Sequence, residues 1–260
     1  MALKDSFLKS GQYLFRYRGH LPLLFFLIIL PATYFFDYSF LKDSPVLVHC
    51  ITISSICLFS FGHILRAVII GSSARHTSGR NRDQQVAHQL NTTGCYSMVR
   101  HPLYFANFLI WFGLLIYLAN PLLGLLICAG FWLFYERIMF TEEQFLLLSF
   151  GHQFEDWSRS VPAFFPNIFL YKKSSNRFSI KSVFANEYPS IISTLTTFLI
   201  LILARRYSID GAFNWQWNDA YFAISIFIFG ISFRMIKHRT DWFKHEHLEM
   251  RHFKFLALFK

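Results

Sequence analysis

The chain has 260 residues, of which 54% are hydrophobic, 20% aromatic and only 15% charged. Soluble domains carry about 25% charged residues and disordered chains few aromatics, so both classes are excluded and an integral membrane protein remains. In such a chain the formal charge of +10 points to anionic lipid head groups beside cytoplasmic loops rather than to nucleic acid.

In chain order, a basic lead with Lys4, Lys9, Arg16 and Arg18 precedes the first apolar run, 21–36. The lead is long, Pro22 and Pro31 punctuate the run and no small-x-small cleavage site follows, so a retained membrane helix is expected rather than a signal peptide. Further apolar runs cover 46–65, 103–119, 122–140, 189–204 and 220–233, which predicts six spans in an all-α, polytopic membrane protein. Asn120-Pro121 separates the third run from the fourth, and two residues of turn chemistry there predict a tight antiparallel helical hairpin.

Loop charge sets the expected orientation. The lead, the loop with Arg75, Arg80, Arg82 and Arg100, the loop with Arg159, Lys172, Lys173, Arg177 and Lys181, and the tail from Arg234 to Lys260 fall on one side of six spans. Only Lys42, Arg205 and Arg206 fall on the other, so both termini are expected in the cytoplasm. The tail mixes Trp242, Phe243, Phe253 and Phe255 with basic residues, the pattern of an interfacial amphipathic helix. Cys50, Cys57, Cys95 and Cys128 show no CxxC spacing and read as buried single thiols. Among eleven histidines there is no HExxH pair, only His245-Glu246-His247 and scattered singles, so no metal is expected.

Two polar stretches flank the predicted hairpin, 90–104 and 136–166, and antiparallel helices bring them to one cytoplasmic edge. In the first, Gly94 permits a turn, Pro102 opens a helix, and Arg100, His101 and Tyr104 stand at its entrance. Arg and Tyr at such a place also suit an ordinary interfacial belt. In the second, the adjacent Glu142 and Glu143 face an anionic surface and call for a cationic partner, either a ligand or Arg137.

Gly94-x-Tyr96-x-x-Val99-Arg100-His101-Pro102-x-Tyr104, a hairpin, Glu142-Glu143, Leu146, Phe150-Gly151, Val161-Pro162 and Pro166 follow one another in that order. This series resembles the integral membrane S-adenosylmethionine-dependent methyltransferases typified by isoprenylcysteine carboxyl methyltransferase, with phospholipid amine methyltransferases as more distant relatives. The resemblance covers 90–166 and divides the chain into N-terminal helices with a loop (1–89), a methyltransferase core (90–166) and a C-terminal helix pair with its tail (167–260). Cys95, Ala106, Phe154 and Trp157 depart from the family's common Pro, Gly and tyrosines. Trp157 keeps aromatic bulk but lacks a phenolic hydroxyl, so a substrate hydrogen bond made there in relatives is in doubt.

The resemblance implies that Tyr96, His101, Pro102 and Tyr104 line a pocket for S-adenosylmethionine, with Glu142 and Glu143 holding its amino end or ribose. Arg100 is expected to pair with its carboxylate. Arg100, His101 and His152 are the candidate catalytic residues, the two histidines because an amine acceptor would have to lose a proton. A prenylated cysteine carboxylate, a lipid phosphate and a phospholipid amine compete as acceptor, and the basic excess favours an anion. Two rivals stand beside this reading: an NADPH-dependent sterol-type reductase and a non-enzymatic scaffold or transporter. The chain has no GxGxxG fingerprint.

Overall fold

A computed structural model describes residues 2–73, 85, 87 and 89–239. Among them the only β pairing is an isolated bridge between Gly94 and Lys172, and the rest is helix, turn and loop. Nine α-helices follow one another among the described residues: α1 Leu3–Tyr17, α2 Leu21–Phe35, α3 Ser39–Lys42, α4 Pro45–Ser72, α5 Pro102–Leu118, α6 Pro121–Phe150, α7 His152–Ser160, α8 Ile180–Asp210 and α9 Trp217–Arg239.

Each of the six apolar runs lies within a helix to within one residue, and the architecture is all-α and multi-pass. The count of spans is revised by helix length. Among the described residues, α4, α6, α8 and the Trp217–Lys237 part of α9 are the 4 helices long and apolar enough to cross a bilayer alone, and α1 with α2, bent by 64°, makes up to 5. α5 is apolar but has only 17 residues, about 25 Å against a hydrocarbon core of about 30 Å. Thirteen positions in the loop before α5, including Arg75, Arg80 and Arg82 of the expected orientation signal, and the proposed amphipathic tail beyond Arg239 lie outside the described residues.

The α5–α6 hairpin forms as the turn chemistry predicts. Ala119 is left-handed at φ 49°, the Asn120 side chain accepts from the Leu123 N–H at 3.0 Å, and Pro121 occupies the first turn of α6. Because α6 has 30 residues and α5 has 17, the last turns of α6 run past the start of α5. Those turns carry Glu142 and Glu143 to the level of Arg100 and His101.

α5 also packs on α4 through small residues. A Cβ at Gly113 would lie 2.8 Å from the Phe59 nitrogen, and one at Gly62 would lie 2.7 Å from Ile110 Cγ1. Such close backbone approach is how membrane helices gain dispersion contact without a hydrophobic drive. Gly113→Ala is therefore expected to cost about 1–3 kcal/mol, because backbone cannot yield as a side chain can. Gly124→Ala, with nothing within 4 Å, serves as the matched control. Thermal melts of the two variants in detergent check this, and equal melts would refute the close crossing.

α1, read from sequence as a basic lead, is a helix laid on α6. Gly11 meets Thr141 and the Arg137 carbonyl, Phe15 is buried, and Phe7 stacks edge-on with Phe140 at 5.8 Å. At the far end, Arg205 donates to the Tyr117 carbonyl at 2.7 Å and lies over its ring, while Arg206 pairs with Asp219. These contacts tie α8 and α9 to the hairpin turn. Exposed Leu27, Leu125, Leu126, Phe227 and Ile228 form the outward apolar surface that a bilayer requires.

Candidate active site

At the edge where α5 begins, the backbone is built before the side chains are placed. Gly94 adopts φ 63°, starting the turn through Cys95–Ser97, and its N–H donates to the Lys172 carbonyl at 2.8 Å. The Arg100 and His101 N–H groups donate to the Pro162 and Ala163 carbonyls at 2.8 and 3.1 Å, and the Asn167 N–H donates to the Met98 carbonyl at 2.9 Å. Segments 94–101 and 161–172 thus clasp each other. The Trp157 indole joins the clasp by donating to the Tyr96 carbonyl at 3.2 Å.

Side chains of the two polar stretches then close into one network. Arg100 donates from Nε to Glu143 Oε1 at 2.9 Å and from Nη1 to the Ser158 and Val161 carbonyls at 2.6 and 3.3 Å. His101 sets Nε2 at 3.0 Å from Glu143 Oε1 and Nδ1 at 3.4 Å from Glu142 Oε2. The Tyr104 hydroxyl donates to Glu142 Oε1 at 2.6 Å. Pro102 is buried at the start of α5. The cationic partners of the acidic pair are thus Arg100 and His101. Arg137 instead donates to the Leu133 carbonyl and lies over the Phe7 ring.

Two carboxylates on the two ring nitrogens favour the imidazolium, since a neutral ring has a single N–H. Burial alone would push the His101 pKa down, but hydrogen bonds and charge from Glu142 and Glu143 outweigh it and raise it above 6.5. A raised pKa adds stability that is whole below 6.5 and is lost as pH climbs through the folded-state value. The melting temperature of the ligand-free protein is accordingly expected to fall on raising pH from 6.5, and His101→Gln to flatten that limb. An unchanged slope in the variant would exclude His101 as its source. Burial also pushes the Tyr96 phenol up to about 12, so it stays protonated.

Tyr96, Arg100, His101, Pro102, Tyr104, Glu142 and Glu143 are all at this edge. His152 is not brought to them. Its side chain is 98% exposed and sits 3.4 Å from Glu155, because Gly151, at φ 52°, turns the chain away after α6.

The structure adds residues that the sequence reading passed over. Arg66 on α4 forms a two-pronged pair with Glu187 on α8, Nε to Oε2 at 2.8 Å and Nη2 to Oε1 at 2.7 Å, and its Nη1 donates to Asn107. Asn107 in turn donates to the Tyr135 hydroxyl at 3.4 Å, and the Tyr135 and Tyr104 rings are 4.7 Å apart. Arg66 and Glu187 each lie just outside an apolar run of the sequence. A charge within a membrane helix was the available signal.

Residues 55–148 match the model of the isoprenylcysteine carboxyl methyltransferase (ICMT) family. The likeness to that family lies over this stretch, about a third of the chain. It takes in α4 from its third turn, the clasped turn, the hairpin and the acidic pair, and so starts earlier and ends sooner than the core expected from sequence. A protein-S-isoprenylcysteine O-methyltransferase from Tribolium castaneum is 32% identical over 143 residues, 54% of this chain and 48% of the relative. One from Schizosaccharomyces pombe is 35% identical over 116 residues, 44% and 47% of the two chains. The nickel-cobalt-cadmium resistance protein NccN of Alcaligenes xylosoxydans xylosoxydans is 36% identical over 102 residues, 39% and 45%. The chain spans about half the length of these curated relatives. No solved structure matches it significantly. Among the described residues, no group of three His, Cys, Asp or Glu side chains could hold a metal ion.

Proposed function

We propose that the protein is a membrane methyltransferase that moves a methyl group from S-adenosylmethionine to an anionic group on a lipid or lipid-attached acceptor. The observation that carries this reading is the state of Glu143. Its Oε1 is shared by Arg100 and His101, its Oε2 has no partner among the described residues, and its side chain is 23% exposed. An ionised carboxylate with spare acceptor capacity at a partly dry edge favours a cationic ligand. The ICMT-family match over the same hairpin supports S-adenosylmethionine as that ligand.

When bound, the cofactor supplies an electrophilic methyl group on a cationic sulfur. The chain's part is to bind, align and exclude water. Glu142 and Glu143 attract the positive groups, Arg100 is the nearby donor for a carboxylate, and Tyr104 holds Glu142 in place through its hydroxyl. An anionic acceptor is already ionised near neutrality and needs no base, so His101 serves by orienting both carboxylates. Attack of an anion on a cation dissolves charge, which a low-dielectric edge favours. The acceptor approaches within the membrane plane. The excess of Lys and Arg in the loops supports a cytoplasmic position for this edge and for both termini.

The deciding experiment titrates S-adenosylmethionine and NADPH into detergent-purified protein by calorimetry. Saturable binding of S-adenosylmethionine alone is expected, and binding of NADPH alone would overturn the reading. Transfer of labelled methyl into a lipid extract should then give an alkali-labile ester, whereas an alkali-stable N-methyl product would refute the anionic acceptor. For orientation, reporters fused at Lys260 and within the 36–45 loop are expected to give opposite signals, and matching signals would defeat the topology.

A further inference from the structure

The Arg66–Glu187 pair lies inside the helix bundle, on the membrane side of the network at the start of α5. Asn107 stands one turn beyond Tyr104 on the same helix, so Arg66, which donates to Asn107, belongs to the next layer down. A lipid-borne acceptor coming from the bilayer passes this layer on its way to the proposed methyl donor. Glu187 is 2% exposed and the Arg66 side chain 15%, so the carboxylate is sealed while the arginine is only partly covered.

A guanidinium has five N–H donors. Three are taken, two by Glu187 and one by Asn107, and one on each terminal nitrogen has no partner among the described residues. Glu187 and Asn107 together fix the plane of the fork and leave those two donors preorganised. Burying a charged pair in a membrane helix is costly, and such pairs are kept where they meet a substrate or ion. We infer that Arg66 holds the ionised group of the acceptor, with Glu187 and Asn107 as positioning residues that aim it. Glu187 lies on α8, outside the family-matched 55–148, so this anchor joins the C-terminal helices to the core. The inference rests on the proposed methyl transfer and names the residue that selects an anionic acceptor.

The test is affinity of the full chain in nanodiscs for three probes: N-acetyl-S-farnesylcysteine, its carboxamide and farnesyl phosphate. Wild type is expected to bind at least one anionic probe roughly tenfold tighter than the neutral carboxamide. Arg66→Gln alone strands a buried carboxylate and risks the fold, so the informative variant is Arg66→Gln with Glu187→Gln, whose two amides can still bond each other. It should lose the preference for the anion while S-adenosylmethionine affinity stays within twofold. Glu187→Gln alone leaves Arg66 with an uncompensated charge and should tighten the anionic probe several-fold. Opposite signs from the two variants cannot come from a purely structural pair. Retained preference in the double variant, or a weaker anion in Glu187→Gln, overturns the inference. Loss confined to the cysteine carboxylate or to the phosphate identifies which of the two Arg66 holds. Failure of wild type to bind S-adenosylmethionine would instead sink the methyltransferase reading and is measured separately.

Discussion

Glu143→Gln is expected to weaken S-adenosylmethionine binding by roughly 10- to 100-fold while leaving the helices intact. Glu143 Oε1 accepts from both Arg100 Nε and His101 Nε2, and charge-assisted hydrogen bonds of this kind are worth about 1.5–3 kcal/mol each. The amide keeps the shape but removes the charge that attracts a cationic ligand and that holds the His101 proton. Calorimetry in detergent measures the dissociation constant, and circular dichroism checks the helices. Glu142→Gln should do less, since its strongest bond, from the Tyr104 hydroxyl at 2.6 Å, survives in a neutral form. If neither variant changes the dissociation constant, the acidic pair serves only to tie α6 to the start of α5.

Arg100→Ala is expected to be more damaging still, abolishing activity and lowering stability by about 2–3 kcal/mol. The figure is below the ~3–5 kcal/mol for breaking a fully buried pair, because the Arg100 and Glu143 side chains are 17% and 23% exposed. One guanidinium bridges three places: Glu143 on α6, the Ser158 carbonyl at the end of α7, and the Val161 carbonyl that follows. Its loss frees the 158–163 segment from the hairpin and strands two carbonyls. Arg100→Lys keeps the charge but not the fork, and should restore the melt in part without restoring activity. Full activity in the lysine variant would show that only the charge matters. Hydrogen exchange at 158–163 separates the local effect from global unfolding.

Both expectations turn on contacts that were only partly readable in the chain order. RHPxY and the acidic pair were legible as one unit because an Asn-Pro turn between two apolar runs forces antiparallel neighbours. Their mutual bonding was not. The sequence reading left Arg137 as a partner for Glu142 and Glu143, being near on the same helix, but its guanidinium turns back to Leu133 and Phe7. His152 looked close to the site by number, yet one glycine at positive φ sends it into solvent. The lead at 3–17 read as a charged flank because three basic residues mask its narrow apolar stripe.

What the sequence determined by itself is whatever follows from composition and local chemistry: a membrane class from apolar content, six helical runs from hydrophobic length, a hairpin from Asn120-Pro121, and an edge rich in donors and carboxylates. Local rules suffice for these because each depends on residues a few positions apart. The tertiary structure alone decided how many helices are long enough to cross, that α1 covers α6, and that Arg66 meets Glu187 across 121 positions. Such pairings arise when helix faces with small residues bring distant segments into contact. A charge flanking an apolar run looks the same in sequence whether it faces water or a counter-charge inside the bundle, and only packing selects between them.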